Sequence, residues 1–227
     1  MLTTFVTRMN IDSNRTEEFL HWFEQDFKPL IREVDGLTIP TLYEAQRAEG
    51  RIWTYLPDPR FTILFHLEGP SDVYEVVNNP AFLTAWKKSV LTWAEWTSDF
   101  RWTVYEQVSG LLAPIAYPRI LLTQEDVAEA HADAWVTWYD TKHLSDAAEV
   151  PDEFGHNYRR LRSREVIGLR WHSTTQPTFA HVFEVVPDVD LAQVMSSPEF
   201  EAMAGDTMAY WSSVLSNGIS TMCIRVA

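Results

Sequence analysis

The stretch Asn79-Pro80-Ala81-Phe82 has a partner far down the chain, Ser197-Pro198-Glu199-Phe200. Trp93 follows the first proline at the same interval as Trp211 follows the second. Upstream, Trp22-Phe23-Glu24 is matched by Trp138-Tyr139-Asp140. The offset between partners stays at 116 to 118 residues, about half of the 227-residue chain. Ordered matches at a nearly constant spacing mark an internal repeat. The chain therefore divides into a first half at 1–110, a linker at 111–118 bearing Pro114 and Pro118, and a second half at 119–227.

Each half gives the order β-α-β-β-α-β. In the first, Leu2–Met9 is an apolar, β-branched strand, and Asp12 or Ser13 caps a helix whose stripe is Phe19, Trp22, Phe23, Phe27 and Leu30. Ile39–Arg47 and Phe61–Leu67 read as strands around a turn-rich loop, Ala48–Arg60. Ser71 opens a second helix that Asn79-Pro80 interrupts, and Arg101–Val108 is the fourth strand. In the second half the strands are Arg119–Thr123, Asn157–Glu165, Thr178–Val186 and Ile219–Val226. Its helices are Asp126–Leu144 and Asp190–Leu215, the latter broken near Pro198.

Such a unit makes a four-stranded antiparallel sheet with helices on one face. The other face is bare, and two halves bury those faces against each other. The expected fold class is α+β: two tandem ferredoxin-like βαββαβ halves forming an intramolecular dimeric-type α/β barrel, with the enclosed space as a natural ligand cavity. Two independent domains on a linker are the alternative.

The formal charge of −14 argues against nucleic acid and anionic membrane as partners, since both select basic surfaces. No apolar run is long enough to span a bilayer, and residues 1–14 lack the pattern of a secretory signal. Cys223 is the single cysteine, so no internal disulfide forms, which fits a reducing, cytoplasmic location. The 10 Trp are unusual; aromatics fill cores and also wall pockets for flat ligands. Dinucleotide, phosphate-loop, nucleophile-elbow and His-Glu-x-x-His patterns are all missing, and no metal site is supported by spacing.

The run Trp138-Tyr139-Asp140-Thr141-Lys142-His143, with the tandem βαββαβ order, resembles the dimeric α/β-barrel superfamily, in particular its EthD-like and antibiotic-biosynthesis-monooxygenase-like branches. The resemblance covers nearly the whole chain as two copies. It implies a Trp followed by a His near the end of the first helix, which here are Trp138 and His143. The first half departs from this, with Phe27 where the second has His143. The superfamily's activities include cofactor-free oxygenation, cyclisation, isomerisation and haem degradation, so fold alone does not choose among them.

His143 follows Asp140 on one helix face, where the carboxylate can orient the imidazole; a solvent-facing helix end is the plain alternative. On Phe61–Leu67, alternation sets His66 apart from Ile63, Phe65 and Leu67, toward the barrel interior. Aligning Pro70 with Pro187 puts Phe183 opposite His66 and gives His181 the same interior parity. Each is a candidate base or carbonyl donor, or else a satisfied core histidine. Tyr43 and Tyr158 offer phenols to a carbonyl or pack as cross-strand aromatics. Arg160, Arg162 and Arg164 share a strand face that holds an anionic substrate or simply charges an edge. Trp86, Trp93, Trp96, Trp102, Trp135, Trp171 and Trp211 are core or pocket walls, and Cys223 reads as inert.

The leading expectation is a cofactor-independent cyclase, isomerase or lyase acting on a hydrophobic aromatic or polyketide-like carbonyl compound. His143, His66, His181, Asp140 and Tyr43 are its catalytic candidates; Arg160, Arg162, Trp138, Tyr158 and Phe183 are its binding candidates. A cofactor-free monooxygenase and a non-catalytic carrier of a hydrophobic metabolite are the alternatives, with a haem-binding variant fourth. The expected partner is a small hydrophobic molecule, without nucleic acid, membrane, metal or cofactor, on a monomer or homodimer.

Overall fold

The computed structural model describes residues 2–68, 72–93, 95–111, 113, 115, 118–151, 157–168, 172–212 and 214–227, with backbone only at 210, 211 and 217. Pro70, Ser71, Pro114 and Trp171 lie outside the described residues, as does the side chain of Trp211.

The repeated Pro motif is a helix restart. In the first half α3 (Val73–Val77) ends, Asn79 Oδ1 accepts the Ala81 amide at 2.8 Å, and Pro80 opens α4 (Pro80–Trp93). In the second half α7 (Leu191–Met195) ends, Ser197 Oγ accepts the Phe200 amide at 3.2 Å, and Pro198 opens α8 (Pro198–Trp211). Proline costs nothing there, because the first helical amides have no partner within the helix. The other first-half elements are β1 (Thr3–Ile11), α1 (Thr16–Trp22), α2 (Lys28–Arg32), β2 (Thr41–Gln46), β3 (Ala48–Glu49), β4 (Thr54–Tyr55), β5 (Phe61–Leu67) and β6 (Thr97–Gly110). The second half supplies β7 (Arg119–Val127), α5 (Ala132–Trp138), α6 (Leu144–Glu149), β8 (Arg159–Arg164), β9 (Phe179–Val185) and β10 (Leu215–Arg225). Asp126 and Val127, expected in a helix, extend β7 instead, where Asp126 Oδ1 accepts the Thr178 amide and hydroxyl.

Eight strands close into an antiparallel barrel in the order β1-β5-β2-β10-β7-β9-β8-β6. Each half contributes four contiguous strands, and the halves are joined edge to edge at β2–β10 and β6–β8. The fold class is therefore the α+β dimeric-type barrel, closed within one chain. Gly110 makes the second seam possible: its φ is +94°, and a Cβ there would lie 2.0 Å from the Tyr158 carbonyl oxygen. Among the described residues no helix is long and apolar enough to cross a membrane.

The middle of the enclosed space is filled rather than open as the expected ligand cavity. An eight-stranded barrel is just wide enough for side chains to fill. Here Val6, Leu64, Tyr105, Ile120, Leu122, Leu161 and Val182 pack its middle. At one end Arg159 and Glu184, 1% and 0% exposed, form an ion pair with Nη2 2.7 Å from Oε1. Two further apolar layers lie outside the barrel, between each half-sheet and its helices.

The expected parity of β9 is corrected. Phe179, Phe183 and Val185 face the helices, while Ala180 and Val182 face the barrel, so His181 lies under the helices. His66 does point inward, with Leu64. The strand pairing shows why. Phe5 pairs with Phe65 as Leu121 pairs with Phe183, so β5 and β9 correspond at an offset of 118. Aligning Pro70 with Pro187 slips by one residue, and a one-residue slip moves every side chain to the other face. Phe183 thus matches Phe65, and His181 matches Ile63.

Candidate active site

Between the second half-sheet and α5, α6 and α8 lies a pocket of about 140 Å³. Trp135, Trp138, Tyr139, Phe183, Phe200 and Met203 wall it, with His143, Thr123, Glu125 and Thr207 as polar groups. The region Ala48–Arg60, expected to be a plain loop, instead carries the β3–β4 hairpin across from the first half, and its Trp53 and Tyr55 join the walls. Gly50 lets it dock: a Cβ there would come within 2.6 Å of the Met195 carbonyl oxygen on α7.

The corresponding layer of the first half is solid with rings. Trp86 meets Trp102 edge-on at 4.7 Å, Phe5 stacks on Phe65 at 4.8 Å, and Phe27 lies 5.3 Å from Trp22. At the matching places the second half has Ala204 for Trp86, Ser220 for Trp102, Leu121 for Phe5 and His143 for Phe27. Loss of two indoles and one phenyl opens the pocket, and a ring nitrogen enters its wall. The first half also supplies a test. Ala204→Trp restores a side chain that the matching layer already packs, so the fold should persist with a Tm near wild type. Binding of 2-naphthol, followed by its fluorescence, should weaken at least tenfold; unchanged binding would place the ligand elsewhere.

His143 ends a π-helical turn, Tyr139–His143, that joins α5 to α6; Phe23–Phe27 is the same turn in the first half. Such turns shift the facing of the residues after them. The Thr207 hydroxyl donates to the Met203 carbonyl at 2.9 Å, so its oxygen accepts from His143 Nδ1 at 3.1 Å. That bond places the ring proton on Nδ1 and leaves Nε2 with its lone pair on a residue that lines the pocket. Burial pushes the imidazole down to about 3, helped by the positive potential of Lys142. At neutral pH His143 is thus an uncharged acceptor.

Behind this wall is a buried polar chain. Glu125 Oε1 lies 2.9 Å from His181 Nε2, close but off the line of a well-formed hydrogen bond. The Glu125 carboxylate, an acceptor, stands beside Nε2 and favours the proton there, so His181 Nδ1 accepts from the Tyr158 hydroxyl at 2.9 Å. Burial depresses the proton affinity of His181, and Glu125 opposes it. The Tyr139 ring is held between the two histidines, 4.1 Å from His181 and 4.5 Å from His143. Burial raises the Tyr139 and Tyr158 phenols, so both stay protonated.

Of the expected residues, the pocket gathers His143, Trp138 and Phe183, with His181 and Tyr158 directly behind. Asp140 does not orient His143. Its carboxylate is taken by the guanidinium of Arg160, a stronger, two-point partner. Arg160, buried by that pair, lies at the end of the polar chain rather than in the pocket. Arg162 is exposed beside Glu129, at 3.5 Å, and lines no pocket described. His66 and Tyr43 sit together at one end of the barrel, far from this layer, with Thr38, Thr41 and Ile115. His66 Nδ1 bonds the Thr4 hydroxyl at 3.0 Å, and burial beside Arg159 pushes it down to about 4. Trp86, Trp93, Trp96 and Trp102 belong to the first-half core; Trp135 is a pocket wall. Glu125, Trp53 and Thr207 were not singled out. Comparison of the halves at the repeat offset exposes Glu125, which stands where the first half has Met9. Among the described residues no group of three or more His, Cys, Asp or Glu side chains could hold a metal ion.

No family model matches this sequence, and no curated protein matches it. Solved structures do. An anthrone oxidase-like protein is 14% identical, with a TM-score of 0.63 over 100% of this chain and 91% of its own. A protein of Fusobacterium nucleatum assigned as a monooxygenase is 11% identical, with a TM-score of 0.56 over 100% and 93%. A protein assigned as a chlorite dismutase is 9% identical, with a TM-score of 0.56 over 100% and 95%. At these identities the likeness is one of fold.

Proposed function

We propose that this chain is a cofactor-independent enzyme that takes a proton from a compact, hydrophobic aromatic carbonyl compound, with His143 as the base, as the leading step of a monooxygenase-type reaction. The observation that carries the reading is the uncharged Nε2 of His143 on the wall of an apolar, ring-lined pocket. The Trp138-to-His143 spacing that resembles EthD-like proteins supports it, as does the name of a structural neighbour, anthrone oxidase-like, since an anthrone is a flat aromatic ketone.

A lone imidazolium is disfavoured in this pocket, but it forms beside an enolate because the two charges stabilise each other where water is excluded. Thr207 holds the ring while Nε2 accepts the proton. The substrate anion then reacts with dioxygen: a CH2 next to the rings becomes C=O, one oxygen atom is retained, and the other leaves as water. The names of the structural neighbours, a monooxygenase and an anthrone oxidase-like protein, favour this fate over cyclisation.

The assay is a panel of anthrones and naphthols with an oxygen electrode and mass spectrometry. The expected result is one dioxygen consumed per substrate and one oxygen atom gained. A rearranged product formed without oxygen uptake would return the cyclase or isomerase reading. Tight binding with the ligand recovered unchanged would make the protein a carrier, and a Soret band on haem titration would replace the cofactor-free mechanism.

A further inference from the structure

The end of the barrel opposite His66 holds a second cavity, about 190 Å³, that the reaction above does not use. It lies where the two halves face each other. Arg8 faces Gln124 across it, as Pro59 faces Pro177 and Arg101 faces Ile219, each pair separated by the repeat offset. The halves share the scaffold here and differ in charge.

Arg8 is the floor. It is 4% exposed and points into the barrel from β1. Its guanidinium donates to Gln124 Oε1 at 2.5 Å and to Thr221 Oγ1 at 2.6 Å, and Nε has no partner among the described residues. Both partners are neutral. Two titratable groups beside it are neutral too: burial pushes the Cys223 thiol up to about 12 and raises the Tyr105 phenol, while the buried Asp126 carboxylate beyond Tyr105 accepts from the Thr178 amide and hydroxyl. Asp58 and Asp99 stand at the exposed rim with Arg101, and Asp58 is held there by Asn10 Nδ2 at 2.6 Å. A buried guanidinium without a carboxylate is costly unless an anion completes it. The second half shows that the scaffold does not demand the charge, since Gln124 fills the matching position.

We propose that this cavity is a binding site for a small monocarboxylate, held by the Arg8 guanidinium. One planar fork matches one planar carboxylate. The rim carboxylates disfavour a dianion such as sulfate or phosphate, and the volume admits only a short acid.

Acetate, propionate, sulfate and chloride, at equal ionic strength, provide the test by thermal shift and calorimetry on the whole protein. Acetate or propionate should give a saturable rise in Tm, and Arg8→Gln should weaken binding at least tenfold. Arg8→Gln installs the residue the second half already tolerates, and circular dichroism checks its fold. In parallel, the Arg8 Nε–H resonance of 15N-labelled wild type should move with acetate, which needs no variant. The proposal fails if acetate and chloride act alike, marking an adventitious ion only. It also fails if sulfate binds more tightly than acetate, if Arg8→Gln responds as wild type, or if no anion produces a response and Arg8 is simply a cross-link to Gln124 and Thr221.

Discussion

His143→Gln is expected to lower turnover by about 10²- to 10⁴-fold, the usual contribution of a positioned general base. Glutamine can still donate to Thr207, so the α5–α6 turn should keep its shape and KM should change little. The pH profile sharpens the expectation. Because burial holds His143 down to about 3, its Nε2 is available through neutral and mildly acidic pH. The turnover of the wild type should therefore not fall as pH drops through 6.5, where an ordinary histidine would be protonated. Any loss should come only as the pH nears the lower value or the fold gives way. His66→Gln, in the separate cluster at the barrel end, should leave turnover close to wild type. Full activity in His143→Gln, or an acid limb near 6.5, would remove His143 from the reaction.

The second large effect concerns stability. Arg159→Met should destabilise the protein by about 3–5 kcal/mol, read from the urea midpoint, because it takes the guanidinium away from the buried Glu184 carboxylate. It also removes the donors to the Ala113 and Asn157 carbonyls. The double change Arg159→Met with Glu184→Leu should recover much of the loss, since it removes the buried carboxylate together with its guanidinium. A single variant as stable as wild type would show that water reaches this end of the barrel.

Much of the architecture is legible in the chain because helix restarts and aromatic stripes are local signals. Pro80 and Pro198 mark the same event, and Trp22 and Trp138 the same packing position. The register of β9 is not local. Pro70 and Pro187 were natural anchors, but one residue of slip turned His181 inward when its neighbours Phe179 and Phe183 pack under helices. The interior also misled, since bare sheet faces imply burial against each other but do not say whether they meet in a cavity or a packed core. Tyr105, Leu122 and Leu161 make it a core. Asp140 looked like a partner for His143 because they share a helix face; Arg160, twenty residues on, competes successfully through a contact no spacing reveals. His143 is legible from the Trp138-to-His143 spacing that resembles EthD-like proteins, and the contrast with Phe27 confines it to the second half. The same contrast, carried through every strand, also separates Glu125 from Met9 and Ala204 from Trp86.

The hairpin bearing Trp53 and Tyr55 has a consequence for the order in which the molecule can assemble. It is synthesised well before α5 and α8, so the roof of the pocket exists before the chamber it covers. The edge of β2 is likewise made early, yet its partner is β10, the last strand of the barrel. Until that strand emerges, a nascent chain carries an open sheet edge and two uncovered indole and phenol rings. Such pairing between distant segments is slow to form and prone to aggregation meanwhile. Exchange of arms between the halves thus ties completion of the site to the emergence of β10, and leaves the growing first half with an unpaired edge until then.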